Sequence, residues 1–229
     1  RWHNDGTFTP ALGLVRIEGS TATANSTISG VSSTTFYDLT QQKSANDVQL
    51  LQNMQVTHDF TMNGGLFLLN NFDVTLGTAA GQVLNESETN RITGITGGFV
   101  QKTMTLNAPA GVNPGNLGAM ITSAANMGST LIRRGHVQQT DGNGGLSIYR
   151  FFDIVPGNNT GLAATLRQTY FDAELGGRLE TELEHYNSLN NGFSWYARGF
   201  TARNIFSNFV EQSGYPDLAT RWTLASPIN

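Results

Sequence analysis

A chain rich in short β-type segments raises the question of paired carboxylates first, because two Asp or Glu flanking a glycosidic bond are enough to hydrolyse it. The N-terminal half carries Asp38, Asp47, Asp59 and Asp73. None of them forms a clustered motif with a basic residue on the same expected face, and His58 and Asp59, as neighbours in a strand, would point to opposite sides. They read as corner-forming or solvated carboxylates. Glu180, Glu182 and Glu184 alternate on one expected strand face and could collect a cation, but like charges along an exposed strand are ordinarily a soluble outer face. Asp141-Gly142-Asn143-Gly144-Gly145 has the oxygen-rich look of a calcium loop. Phe152 stands where that loop would need its bidentate glutamate, so the string reads as a hairpin turn.

The remaining chemistry is sparse. His3, His58, His136 and His185 are scattered without the spacing of metal ligands. Gly-x-Ser-x-Gly is absent, and the glycine-rich strings lack the Lys-Ser/Thr of a phosphate loop. No catalytic residue, metal ligand or cofactor is therefore assigned. Two binding elements stand out. Arg133 and Arg134 could fork onto an anionic glycan, with ordinary surface as the alternative. Phe193, Trp195, Tyr196, Phe200, Phe206 and Phe209 form an aromatic run suited to core packing or to a binding surface. Alternation would send Phe193 and Trp195 inward and Tyr196 outward, so Trp195, Tyr196, Phe200, Arg133 and Arg134 are the candidate contacts.

The elements that position these residues follow from composition and spacing. Of 229 residues only 13% are charged, about half the usual share, and there is no Cys. Thr, Asn, Gly and Ser carry the polarity, as in secreted all-β proteins. A net charge of -4 argues against a nucleic-acid partner, which requires a dense basic surface. No apolar run reaches the roughly 18 residues of a membrane span, so membrane insertion is not expected. The chain opens at Arg1 on polar residues without a leader pattern, and an exported protein would then be a mature form or an excised piece. Residues 1–98 hold 4 basic and 8 acidic groups, whereas 99–229 hold 9 of each, which places a candidate boundary near Gly97-Gly98.

In the first half, strand-length runs at 14–17, 35–40, 48–51, 55–62, 66–69 and 72–76 alternate with Gly, Asn and Ser clusters. Their landmarks (Ile17; Phe36 or Leu39; Val56 or Phe60; Val74 or Leu76) return at about twenty residues, a stacked-repeat period. The expected fold for 1–97 is a short parallel β-solenoid, with Asn63-Gly64-Gly65 and Asn70-Asn71 as corners. An antiparallel sandwich with similar hairpin lengths is the alternative. Residues 98–229 offer about eight longer alternating segments, expected to form an antiparallel β-sandwich. The clearest is Leu179–His185, where Leu179 and Leu183 would take one face and three glutamates the other. Very little helix is expected.

Several strings resemble a module of large secreted surface proteins of Bacteroidetes: Glu86–Gly94, Gly97–Val100, Leu106–Pro109, Val112–Gly118, Ile121–Asn126, Arg134–His136 and Tyr170–Leu175, over roughly residues 80–225. Upstream, Asn4–Pro10 and Thr34–Leu39 resemble the β-helical repeats that commonly precede it. The resemblance implies cargo of type IX secretion, attached to the cell surface or released, with no catalytic residues to carry over. The C-terminal sorting domain of such cargo is missing after Trp222–Asn229, which implies a fragment, a processed product or another export route. The expectation is a non-enzymatic extracellular structural or adhesive protein whose partners are copies of itself, joined end to end in a fibre, or other surface proteins. A carbohydrate-binding module with glycan partners is the alternative, and a β-helical polysaccharide-degrading enzyme the third reading.

Overall fold

The computed structural model describes residues 1–20, 24–141 and 144–227 and is almost entirely β. It divides into two compact units, Arg1–Lys102 and Thr103–Asn229.

The first unit is a parallel β-solenoid of about four turns with three faces. One face stacks Trp2–His3, Ser26–Ser29, Val48–Leu50, Phe67–Leu68 and Ile92–Thr93; the second stacks Leu14–Gly19, Asp38–Lys43, Asp59–Gly64 and Gln82–Leu84. The third stacks Thr34–Phe36, Met54–Val56, Val74–Leu76 and the start of Phe99–Asn107. Strands of two to six residues suffice, because each rung needs only one or two inward side chains per face. Register sets these into columns: Phe36 over Val56 over Leu76, Leu39 over Phe60 over Val83, and Val48 over Phe67 over Ile92, all at most 1% exposed. Burying each such side chain contributes on the order of 2 kcal/mol.

The twenty-residue period is real but elastic. Phe36, Val56 and Leu76 do align at that spacing, whereas Ile17 belongs to another column, over Gln41. Residues 55–62, expected as one strand, make two, with a corner at Thr57-His58 between faces. At other corners Asn70 and Asn71 take φ of 50° and 69°, and Gly65 takes 70°, the left-handed geometry that a sharp change of face demands.

Corner side chains also bind rung to rung. The Leu66 amide donates to Asp47 Oδ1 at 2.9 Å, and the Asp47 amide to Asn25 Oδ1 at 3.1 Å. The Phe99 amide donates to Asp73 Oδ1, and the Asp73 amide to Asn53 Oδ1. The Asp59 amide donates to Asp38 Oδ1. These amides sit at bends where the ladder has no carbonyl to offer, so a short side-chain acceptor replaces it.

The boundary falls after Lys102, later than the compositional break at 97, for a physical reason. Val100, Gln101 and Lys102 pair with Val74, Thr75 and Leu76 and complete the third face. Lys102 ends the Phe36 column, almost wholly buried, with its ammonium donating to the carbonyls of Gly77 and Ala79. Burial pushes this amine below the usual lysine value.

The second unit is an antiparallel sandwich. One sheet orders Tyr196–Gly199, Glu184–Ser188, Thr220–Ala225, Ser147–Val155 and Asn126–Gly135; the other orders Ala119–Thr122, Ala164–Thr169, Phe209–Tyr215 and Ala202–Asn204. Ile148 and Leu224 from the first and Val210 from the second meet with Tyr170 and Leu183 in the core. The Leu179–His185 strand is corrected: Glu180–Glu182 is a 3-10 turn and the strand begins only at Glu184. Leu183 is buried while Leu179 is exposed, because the turn breaks the alternation that would have paired them.

Loss of the corner acceptor in Asp47→Ala leaves the Leu66 amide without its partner and is expected to destabilise the solenoid by about 1–2 kcal/mol in urea titration, whereas Asp47→Asn, which keeps the acceptor, costs less than half of that.

Candidate functional site

In the solenoid, Asp38 and Asp59 share the second face at adjacent register positions, and His58 joins them. Its Nδ1 lies 2.8 Å from Asp38 Oδ1 and 3.6 Å from Asp59 Oδ2, so the expectation that His58 and Asp59 face apart does not hold: His58 precedes the strand, at the corner. Each of the three offers one metal-ligand atom, all within 4.8 Å of one another. The set is also closed by protein partners. Gln82 Nε2 donates to Asp59 Oδ1, the Asp59 amide to Asp38, and Tyr37 stacks on His58 at 4.9 Å. The Asp38 hydrogen bond pushes the imidazole above its ordinary value. Asp73 stands elsewhere, engaged with Asn53 and Phe99, so Asp38, Asp59 and Asp73 do not converge on one groove.

Arg134 is corrected from a surface contact to a core residue. It is fully buried, and its guanidinium donates to the Leu117 carbonyl at 3.1 Å. Beside it Glu174, also buried, receives Arg150 in two-pronged fashion, at 3.0 Å to Oε1 and 2.9 Å to Oε2, and lies 3.2 Å from His136 Nδ1. Burial alone would raise the Glu174 carboxyl, but Arg150 and His136 outweigh it and hold it well below the carboxylate range. Burial pushes His136 down to about 4, against the Glu174 hydrogen bond. The strand alternates, so Arg133 is only part-buried and pairs in register with Asp153, which Arg221 grips at 2.6 Å. Arg134, being buried, presents no fork to a glycan.

The aromatic run is not core. Phe193 is 83% and Phe206 94% exposed, because both sit in turns outside the strands. Trp195 is part-buried and lines an open cleft of about 400 Å³. The floor of this cleft is one face of the first sheet: Ala197 pairs with Tyr186 and Tyr186 with Thr223, while Glu184 pairs with Ala225 and Ala225 with Ser147. The intervening residues, His185 and Leu224, turn to the opposite side, into the core, as strand alternation requires. One wall is the hairpin 139–147, closed by the Thr140–Leu146 bridge and by the Gly145 amide donating to Asp141 Oδ1 at 2.7 Å, in keeping with a turn; Gly142 and Asn143 lie outside the described residues. Trp195 Nε1 donates to the Thr140 carbonyl at 3.2 Å, which fixes the indole against that wall.

Burial, with the carboxylates of Glu184 and Asp141 nearby, pushes the Tyr186 hydroxyl up to about 12, and Glu184 accepts its hydrogen bond. The cleft thus combines an anchored indole, a phenol, two carboxylates and Thr140 over a floor that includes Ser147 and Thr223, both nearly buried with their hydroxyls donating to the carbonyls of Ile148 and Arg150, and no Lys or Arg is among the described residues that line it. Tyr196 is not part of it: Ala197 faces the cleft, and alternation turns Tyr196 and Arg198 away, Arg198 Nε reaching Asn187 at 2.8 Å. Phe200 lines a neighbouring hollow with Glu182, Glu184 and Arg203. Glu184 reads in the sequence as part of a plain outer face and Asp141 as a turn residue, and nothing marks Tyr186, because spacing alone does not show that Trp195 and the Thr140 hairpin stand over that face. Comparison with protein-family models, curated proteins and solved structures finds no match.

The buried histidines make acid the weak side of the sandwich. His185, whose Nε2 donates to the Val210 carbonyl and whose Nδ1 hydrogen-bonds the Tyr215 hydroxyl inside the core, is also pushed down by burial to about 4. The unfolded chain binds protons on both rings near pH 6.5 and the folded one does not, so stability falls as pH drops from about 6.5 toward 4, by up to about 3 kcal/mol per ring. Loss of the Glu174 carboxylate adds to this below about pH 4.5. Thermal melts followed by tryptophan fluorescence at pH 7.0, 5.5 and 4.5 are expected to show a stepwise fall; an unchanged midpoint would contradict it.

Proposed function

We propose that this chain is an extracellular adhesive protein whose antiparallel unit binds neutral carbohydrate, without turnover, in the Trp195 cleft. The observation that supports this is the pairing of a held indole with the carboxylates of Asp141 and Glu184 and no Lys or Arg among the described residues that line the cleft. A sugar ring offers an apolar face of C–H groups to an indole and donates hydroxyls around its edge. The volume lies in the range of small-ligand sites. Two carboxylates disfavour phosphates, nucleotides and uronates by like-charge repulsion. Binding is favoured over hydrolysis because Asp141 already accepts the Gly145 amide and Glu184 the Tyr186 hydroxyl. The low charge and the polarity supplied by Thr and Asn accord with an exterior location. A glycan array followed by calorimetry tests it. Neutral oligosaccharides are expected among the hits, with Trp195→Ala weakening binding at least tenfold, about 1.4 kcal/mol or more; an empty array, or binding indifferent to Trp195, refutes the reading.

A second reading, association of copies through the solenoid, is favoured by one observation. Leu14–Gly19 is an edge strand, and Leu12 and Leu14 beside it are 78% and 51% exposed. Such an edge offers unpaired backbone groups to another strand. In sedimentation experiments the weight-average mass is expected to rise with concentration and to return to the monomer in Leu14→Lys; a compact monomer at millimolar concentration rules this out.

A further inference from the structure

The hollow beside the Trp195 cleft extends the same site. It measures about 270 Å³ and shares two wall residues with the cleft, Glu184 and Pro227. Glu184 opens its strand and pairs with Ala225, whose methyl is too short to raise a barrier on that side. Around the second hollow, the 3-10 turn Glu180–Glu182 and the link between the strands Tyr196–Gly199 and Ala202–Asn204 bring Glu182, Phe200 and Arg203 together. The guanidinium of Arg203 lies over the Phe200 ring at 4.2 Å and donates from Nη1 to the Leu183 carbonyl at 2.7 Å. These contacts hold the ring in place before any ligand arrives, which lowers the ordering cost of binding. Phe200 remains 45% exposed, so part of the ring is open to a second apolar face.

The chemistry of the two hollows is complementary along one chain. The first supplies an aromatic platform and oxygen acceptors; the second supplies another platform and, through Arg203, a donor. Between them stands a carboxylate that a hydroxyl from either side can reach. Resting on the carbohydrate reading above, we propose that the two hollows are consecutive subsites for a linear oligosaccharide, one sugar unit on Trp195 and another on Phe200, with Glu184 bridging them.

Calorimetry with β-1,4-linked gluco-, manno- and xylo-oligosaccharides of two, four and six units tests this. For a series that binds, affinity is expected to rise at least tenfold from two units to four or six. Phe200→Ala, and independently Thr181→Arg, which fills the second hollow from an exposed position on the turn, are expected to abolish that gain while leaving disaccharide affinity within twofold; Trp195→Ala weakens every length. Length-independent binding that still requires Trp195 overturns the second subsite and leaves the cleft standing. So does an equal loss at all lengths in Thr181→Arg. Absence of binding at every length in all three series overturns both.

Discussion

The amide left over at a corner is the constraint on which the solenoid depends. Between strands the ladder satisfies backbone groups rung by rung, but at several changes of face an N–H turns away from the carbonyl of the next rung and meets a side-chain oxygen instead. Short acceptors meet these amides in sequence: Asn25 serves Asp47, which serves Leu66; Asn53 serves Asp73, which serves Phe99. An acceptor of this kind must be short, since its oxygen has to reach one rung up without leaving the corner. Asp and Asn meet that demand at these corners. Register follows, because a slip of one residue would strand every such amide and rotate the apolar columns out of the interior.

The sandwich solves a different problem, that of two sheet faces with opposite duties. Alternation along Glu184–Ser188 and Thr220–Ala225 sends His185 and Leu224 inward and leaves Glu184, Tyr186 and Thr223 on the outer face. An outer sheet face would ordinarily be featureless; here the hairpin 139–147 and Trp195 stand over it and turn it into a cleft. The side-chain hydrogen bond from Trp195 to Thr140 closes that arrangement. At the same time the Arg150–Glu174 pair, with Phe171 donating its amide to Glu174 and Arg150 reaching the Thr169 carbonyl, ties the turn at Asp172–Glu174 to the strand Ser147–Val155. Removing one partner of such a pair leaves a buried charge without compensation, far costlier than never having had the pair.

Much of this was legible in the residues. Composition and strand-length runs indicate an all-β chain, and the recurrence of Phe36, Val56 and Leu76 marks the solenoid. Trp195, a candidate contact by residue type, does line a cleft. Three features were not legible, each because local pattern was overridden by a neighbour in space. Arg134 resembles surface until the Leu117 carbonyl and the Glu174 network make its burial tolerable. Leu179–His185 alternates as a strand should, yet the chain spends Glu180–Glu182 in a turn, so Leu179 leaves the buried side that Leu183 keeps. His58 and Asp38 lie twenty positions apart and meet only through register, which no local spacing rule contains.

The scarcity of charge follows from the same geometry. A stacked coil sets each ladder position about 4.8 Å from its neighbours on adjacent rungs, so two like ions in one column would repel unless neutralised there. At the second face Asp38 and Asp59 are tolerated because His58 sits between them and Gln82 and a backbone amide occupy their oxygens. Thr, Asn and Ser carry no such penalty and still satisfy hydrogen bonds, so they accumulate. In the sandwich, antiparallel register relaxes the rule, and opposite charges pair across strands, as Arg221 with Asp153 and Arg167 with Glu211. Against that background of paired ions, the two carboxylates lining the Trp195 cleft face one another's hollow without a cationic side chain among the described lining residues. Their oxygens are engaged with Tyr186 and the Gly145 amide, and a hydroxyl-rich ligand is the chemistry that such acceptors suit.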